Sequence, residues 1–215
     1  MRRFGFGGVA LAVVFALATP EAEAAVGPTE QLKSAIEMVV KIVDDPALKG
    51  EGKLPDRRKA VRKVANDIFD FAEIAKRALA RHWTPLSDKQ RTEFVGLFAD
   101  LLERSYISKI ELYGGEKIQY TSERIDGDLA SVATKIITKN GTDVPIDYRM
   151  LKRGDRWLVY DVNIEGVSLV SNYRTQFNKI IQTSSYNELL QKMKTKQDEL
   201  EAGDGTGKKT APVKR

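Results

Sequence analysis

A single histidine, His82, limits the acid–base and nucleophilic chemistry open to this 215-residue chain. A Ser-His-Asp triad or a histidine-ligated metal centre would have to use it. No cysteine is present to serve as nucleophile or thiolate ligand, and no second histidine stands at ligand spacing. His82 sits beside Trp83 at the end of a helical pattern, which reads as a packing or capping position. Two carboxylate pairs offer general acid–base chemistry: Asp126 with Asp128, and Asp143 with Asp147. The first flanks Gly127 and is explained by turn chemistry. The second lies on the polar face of an alternating strand. Gly5-Phe6-Gly7-Gly8 and the stretch from Gly203 to Gly207 are glycine-rich, but neither opens a helix after a strand, so neither reads as a phosphate loop. Arg174 is a candidate for meeting a phosphate, with a local ion pair the favoured alternative. These residues predict no catalytic constellation, no metal site and no resident cofactor. The expectation is a binding protein rather than an enzyme.

What must then be positioned is apolar surface. The first residues set the compartment. Met1-Arg2-Arg3, an apolar run from Val9 to Ala18 and Ala22-Glu23-Ala24 form a basic segment, a short apolar segment and a small-x-small cleavage site. The run is about half the roughly 20 residues that a spanning helix needs. Residues 1–24 therefore read as a cleavable export signal, and no later stretch is apolar and long enough to span a bilayer. The chain carries 35 basic and 30 acidic residues, a net charge of +5. Removing Arg2, Arg3, Glu21 and Glu23 takes two from each side and leaves +5. That balance favours anionic partners such as lipid surfaces or acidic proteins. The basic residues are scattered among acidic ones, which disfavours nucleic acid.

Periodicity predicts an α+β domain over 25–202, followed by a disordered basic tail at 203–215. Helices are expected at 28–44, 55–69, 71–81, about 87–113, 167–183 and 185–201. Ser87 and Gln90 form a capping box for the longest of them. Between the fourth and fifth helices the period changes to two. Strands are expected at 117–125, with Ile118, Tyr120 and Ser122 on one face, then at 129–139, around 143–150 and at 156–163. Asp126-Gly127-Asp128, Asn140-Gly141 and Arg153-Gly154-Asp155 are the turns. The result is a four-stranded antiparallel meander whose inner face needs an apolar cover.

Two segments carry a resemblance. The first is Leu79-Ala80-Arg81-His82-Trp83-Thr84-Pro85-Leu86-Ser87-Asp88-Lys89-Gln90-Arg91-Thr92-Glu93-Phe94, continuing through Phe98, Leu101-Leu102 and Ser105-Tyr106. The second is Trp157-Leu158-Val159-Tyr160-Asp161-Val162-Asn163-Ile164-Glu165-Gly166-Val167-Ser168-Leu169-Val170, continuing through Asn172-Tyr173-Arg174 and Phe177. Together they resemble the MlaC family, also called toluene-tolerance auxiliary transport proteins, over about residues 30–200. Ala80 departs from the family's frequent glycine, and His82 stands where an aromatic residue is common. The resemblance implies a periplasmic protein in which a twisted NTF2-like antiparallel sheet meets a helical lobe. Phospholipid acyl chains would occupy a cavity between them, with the head group near solvent. It further implies a monomeric shuttle between an outer-membrane lipoprotein complex and an inner-membrane ABC transporter complex, maintaining outer-membrane lipid asymmetry. A relative sharing these motifs, HpnM, is associated with hopanoids, so a polycyclic cargo is the alternative within the carrier class.

On this reading the lipid-binding residues are Val144, Ile146, Tyr148, Met150, Trp157 and Val159 from the strands. The helices add Phe98, Leu102, Tyr106, Val167, Val170 and Phe177. For each, the pattern specifies burial and leaves cavity wall and solid core as alternatives. A different class stays open as well. NTF2-like architectures also host isomerases with an Asp base in an apolar pocket, which would need an inward carboxylate. Asp147 is expected to point outward, and Asp161 is the other candidate.

Overall fold

Local signals fix most of the helix boundaries in the computed structural model, which describes residues 26–204. Helix α1 (Pro28–Asp44) begins with proline at its first position, where a missing N–H costs nothing. It ends where Asp45 precedes Pro46 and turns extended. Helix α2 (Leu54–Ile68) follows, and α3 (Phe71–Leu79) is capped by the Asp70 carboxylate, which accepts from the Glu73 N–H at 2.9 Å. Helix α4 (Asp88–Glu111) has both halves of the expected capping box. Ser87 Oγ accepts from the Gln90 N–H, and Gln90 Oε1 accepts from the Ser87 N–H.

The helix expected at 71–81 stops earlier, because Ala80 adopts φ 49° and ψ −120°. Glycine takes that conformation freely, whereas an alanine Cβ is strained in it. A short 3-10 turn, Ala80–His82, leads onward. His82 is a structural residue here: its Nε2 lies 3.0 Å from Asn178 Oδ1, which also accepts from Arg81. This contact pins the loop before α4 to the fifth long helix.

Five strands form one open antiparallel sheet in sequential order: β1 (Lys117–Asp126), β2 (Leu129–Ile137), β3 (Asp143–Arg153), β4 (Arg156–Ile164) and β5 (Val167–Ser168). Helices α5 (Leu169–Thr183) and α6 (Tyr186–Asp204) complete the chain. The four-stranded expectation is corrected by β5. Glu165 and Gly166 both adopt positive φ, 49° and 84°, which closes a tight hairpin and pairs Val167 with Ile164. Gly166, expected to end the sheet, instead turns it into β5, and nothing in the sequence marked Glu165 for the left-handed region. Helix α6 also carries on to Asp204, through the first two residues of the expected tail. The expected export signal and the rest of that tail lie outside the described residues.

Two bulges reset the sheet's facing. In β1 the register shifts between Tyr120 and Ser122, so Ser122 does not continue the face of Ile118 and Tyr120. In β4, Tyr160 is the extra residue: Met150 pairs with Val159, and Arg149 already pairs with Asp161. Trp157 and Val159 share a face with Met150. Beyond the bulge, Val162 and Ile164 take that face opposite Tyr148 and Ile146.

Buried side chains fall into two groups. One is mainly helical and is centred on Phe94, Phe98 and Phe177, whose rings meet edge-on at 5.1 to 5.6 Å for the pairs with Phe177. The other joins α1 and α2 to the inner sheet through Leu32, Val64, Val132, Met150 and Val159. Between the two groups the Asp70 N–H donates to the Val159 carbonyl at 2.9 Å, tying the start of α3 to β4.

Candidate functional site

The helical group and the sheet do not close on each other. A cavity of about 800 Å³ remains between α1, α2, α4, the start of α5 and the inner sheet. Its walls follow from amphipathic spacing. Helix α1 contributes Leu32, Ala35, Ile36, Val39, Val40 and Val43, one continuous stripe. Helix α2 adds Val61, Val64 and Ile68, and α4 adds Phe98, Leu102, Tyr106, Ile107 and Ile110. The sheet closes the far side with Ile118, Ile136, Ile146, Tyr148, Val162 and Ile164. Along α4 the lining runs from Gly96 to Ile110, which at the helical rise is about 21 Å. One leaflet of a bilayer's hydrocarbon core is about 15 Å deep. The slot is therefore long enough for an acyl chain.

Inside, the polar groups are neutral or satisfied. The Thr134 hydroxyl donates to the Ile146 carbonyl at 2.9 Å. Burial raises the Tyr106 phenol to about 12 and pushes Tyr148 up further, so both stay protonated across the physiological range. Asp161, almost fully buried, is held by the Ser168 hydroxyl at 2.6 Å, the Val170 N–H at 3.0 Å and Arg149 Nη1 at 3.4 Å. It caps the first turn of α5, with Ser168 as N-cap accepting from the Ser171 N–H. These bonds fix Leu169, Val170 and Tyr173 in the wall.

Of the expected residues, Phe98, Leu102, Tyr106, Ile146, Tyr148 and Val170 line the cavity. The others do not, each for a physical reason. Met150, Trp157 and Val159 lie under α1 and α2 as solid core, before the β4 bulge. Phe177 is two turns down α5, inside the helical aromatic cluster. Val144 is half-buried on β3 opposite Ile136, outside the wall. Val167 sits in β5 and is 56% exposed. Arg174 donates through its Nε to the Arg77 carbonyl in place of the expected local carboxylate. The largest omission was α1. Its apolar stripe was legible, but nothing in the spacing said that it faces a void.

The cavity meets solvent along the seam between α2 and α4, where the lining residues Asn66, Gly96 and Leu112 are exposed. Guanidinium–carboxylate pairs bridge this seam. Arg62 donates to Glu103 through Nε at 2.6 Å and Nη2 at 2.8 Å, a bidentate fork. Further along, Arg58 donates to Glu111 at 3.1 Å through Nε and 3.2 Å through Nη2. Among the described residues no cluster of His, Cys, Asp or Glu could hold a metal ion, and no helix is long and apolar enough to cross a membrane.

A long, predominantly apolar slot edged by ion pairs is the geometry of an amphiphile site, and the sequence comparison decides its lineage. Residues 33–195 match the sequence model of the MlaC protein. The chain belongs to the MlaC family. Over 138 residues it is 27% identical to the intermembrane phospholipid transport system binding protein MlaC of Haemophilus influenzae, covering 60% of this chain and 64% of that protein. Over 131 residues it is 25% identical to the toluene tolerance protein ttg2D of Pseudomonas putida, covering 57% of this chain and 58% of that protein. The aligned region thus spans less than two thirds of each relative. A solved structural neighbour is the phospholipid-binding protein of Ralstonia solanacearum in complex with a phospholipid. It is 27% identical with a TM-score of 0.72, and covers 80% of this chain and 97% of that one.

Proposed function

We propose that this MlaC-family protein is a soluble periplasmic phospholipid carrier. It holds acyl chains in the cavity between sheet and helices and passes lipid between an outer-membrane lipoprotein complex and an inner-membrane ABC transporter complex. Directional movement in this scheme maintains outer-membrane lipid asymmetry. The observation that carries the reading is the 800 Å³ apolar slot, in a fold shared with a neighbour that binds phospholipid. The transport partners rest on the family resemblance carried by the two sequence segments, and the compartment rests on the export signal read at residues 1–24.

The energetics fit such a role. Each methylene exposed to water costs about 0.8 kcal/mol, so a two-chain lipid crosses an aqueous space only if shielded. Moving the same chain from bilayer to cavity exchanges one apolar environment for another, which keeps loading and unloading reversible. Direction must then come from partners. Against the isomerase alternative, its candidate base Asp161 already accepts from Ser168 and Val170 at the start of α5 and from Arg149 on β3.

Organic extraction of purified protein followed by mass spectrometry tests the reading. Lipid is expected in the extract, and delipidated protein is expected to take lipid up from vesicles. Protein that yields none and acquires none is not a carrier. Recovery of a polycyclic lipid in place of phospholipid would move the assignment to the hopanoid-associated branch.

A further inference from the structure

We propose that the lip formed by Arg62, Asp100 and Glu103 is a head-group site for a zwitterionic phospholipid, with the phosphate on Arg62 and the ammonium on the two carboxylates. The proposal rests on the carrier reading and adds a cargo preference to it.

The lip is where the cavity wall changes from apolar to charged. Arg62 on α2 and Asp100 and Glu103 on α4 all line the cavity. The Arg62 and Asp100 side chains are 46% and 47% exposed, so their charged ends reach solvent while their stems border the slot. Just inside lie Ala65 on α2 and Ala99 and Leu102 on α4. A lipid whose chains enter there leaves its head group between these side chains. Space is provided as well: a Cβ added to Gly96, one turn before Asp100, would meet nothing within 4 Å.

The pairing within the lip is unequal. Glu103 takes two hydrogen bonds from Arg62. Asp100 stands 3.9 Å from Arg62 Nη1, which is an ion pair beyond hydrogen-bond range. The Nη1 donors and the Asp100 oxygens therefore face each other across a gap, one offering N–H and the other lone pairs. A phosphate oxygen on Nη1 and a head-group ammonium on Asp100 would satisfy both at once.

Charge selects among head groups. One guanidinium against two carboxylates gives the lip a formal charge of −1. A head group carrying phosphate alone brings a second negative charge beside Asp100 and Glu103. A zwitterion brings none. Lys109 is the other cation in the lining. It stands over the Tyr106 ring at 5.5 Å and lies six residues past Glu103, about 9 Å along the helix. At that separation its exposed charge is largely screened at physiological ionic strength.

The test loads delipidated protein from vesicles of equimolar phosphatidylethanolamine and phosphatidylglycerol with identical acyl chains, then measures the ratio on the recovered protein. Exposed pairs of this kind shift a ratio by about threefold, so an enrichment of phosphatidylethanolamine of that order is expected. Asp100→Asn with Glu103→Gln is expected to abolish it or reverse it toward phosphatidylglycerol. Arg62→Gln is expected to weaken uptake of both lipids, which share the phosphate, without lowering the ratio, and Arg62→Lys to retain uptake and ratio alike. If the double variant does not fold, Asp100→Asn alone, at a half-exposed position, carries the test. Loading in the vesicle ratio by the unaltered protein overturns the proposal, as does enrichment that survives in the Asp100 and Glu103 variants. Uptake of neither lipid sinks the carrier reading itself, which separates the two failures.

Discussion

The two halves of this molecule are built from the same kinds of side chain and end in opposite states. Around α3, α4, α5 and α6, the rings of Phe94, Phe98 and Phe177 interlock with Leu79, Leu189 and Met193 into a filled core. Between α1, α2 and the sheet, beyond the core packed on Met150, Trp157 and Val159, the stripes of valine, isoleucine and tyrosine are as apolar, yet they stand around an 800 Å³ space. Apolar pattern sets which way a side chain faces. Whether the opposing elements come close enough to fill the gap is set elsewhere: by the bridge from Phe69 to Val159, by the carboxylate of Asp161 holding α5 to β4, and by Arg–Glu forks that span the α2–α4 seam.

Substitutions should separate the halves. Phe177→Ala removes the ring that touches Phe94, Phe98 and Tyr173, and about 3–5 kcal/mol of stability is expected to go with it in denaturant unfolding. Lipid content per folded molecule should not change. Asp161→Ala leaves the Val170 N–H and the Ser168 hydroxyl without their acceptor at the junction between halves, with a cost of about 1–3 kcal/mol. Because Leu169, Val170 and Tyr173 lose their anchor, this variant should lose lipid as well as stability; normal loading would show that the cap is not what holds the wall.

Ala80→Gly acts within the filled half and in the opposite direction. It relieves the φ 49° strain and should raise stability by about 1 kcal/mol, read as a higher unfolding midpoint. Ile36→Ala trims a side chain that already faces space. In delipidated protein its cost should stay under about 1 kcal/mol, because few contacts are lost, while lipid retention falls. A large loss of stability there would mean that the cavity is closed in the empty protein. Smallest of all, Val167→Glu should change neither loading nor stability, since Val167 is exposed in β5. Weakened loading would return Val167 to the site.

Much of this is legible in the sequence. The capping box at Ser87 and Gln90, the three turns of the meander and the amphipathic stripes were written locally, because each depends on neighbours within a few residues. The motif from Trp157 to Phe177 carried the family. The departure at Ala80 also proved informative, for it marks a backbone conformation that glycine takes more easily.

Other features had no local signature. The extra residue at Tyr160 exists only as a mismatch between β3 and β4, and it decides that Val162 and Ile164, rather than Asp161 and Asn163, continue the face of Val159. Burial of Met150, Trp157 and Phe177 followed from alternation and helical period, as did burial of Tyr148 and Leu102. The division into core and wall did not, because it depends on the distance to an element far away in the chain. Sequence alone determined which faces turn from water, since that is a property of each segment's own periodicity. Only the tertiary structure decided where those faces meet and where they stand apart, because a void belongs to no residue and is fixed by the spacing of every element around it.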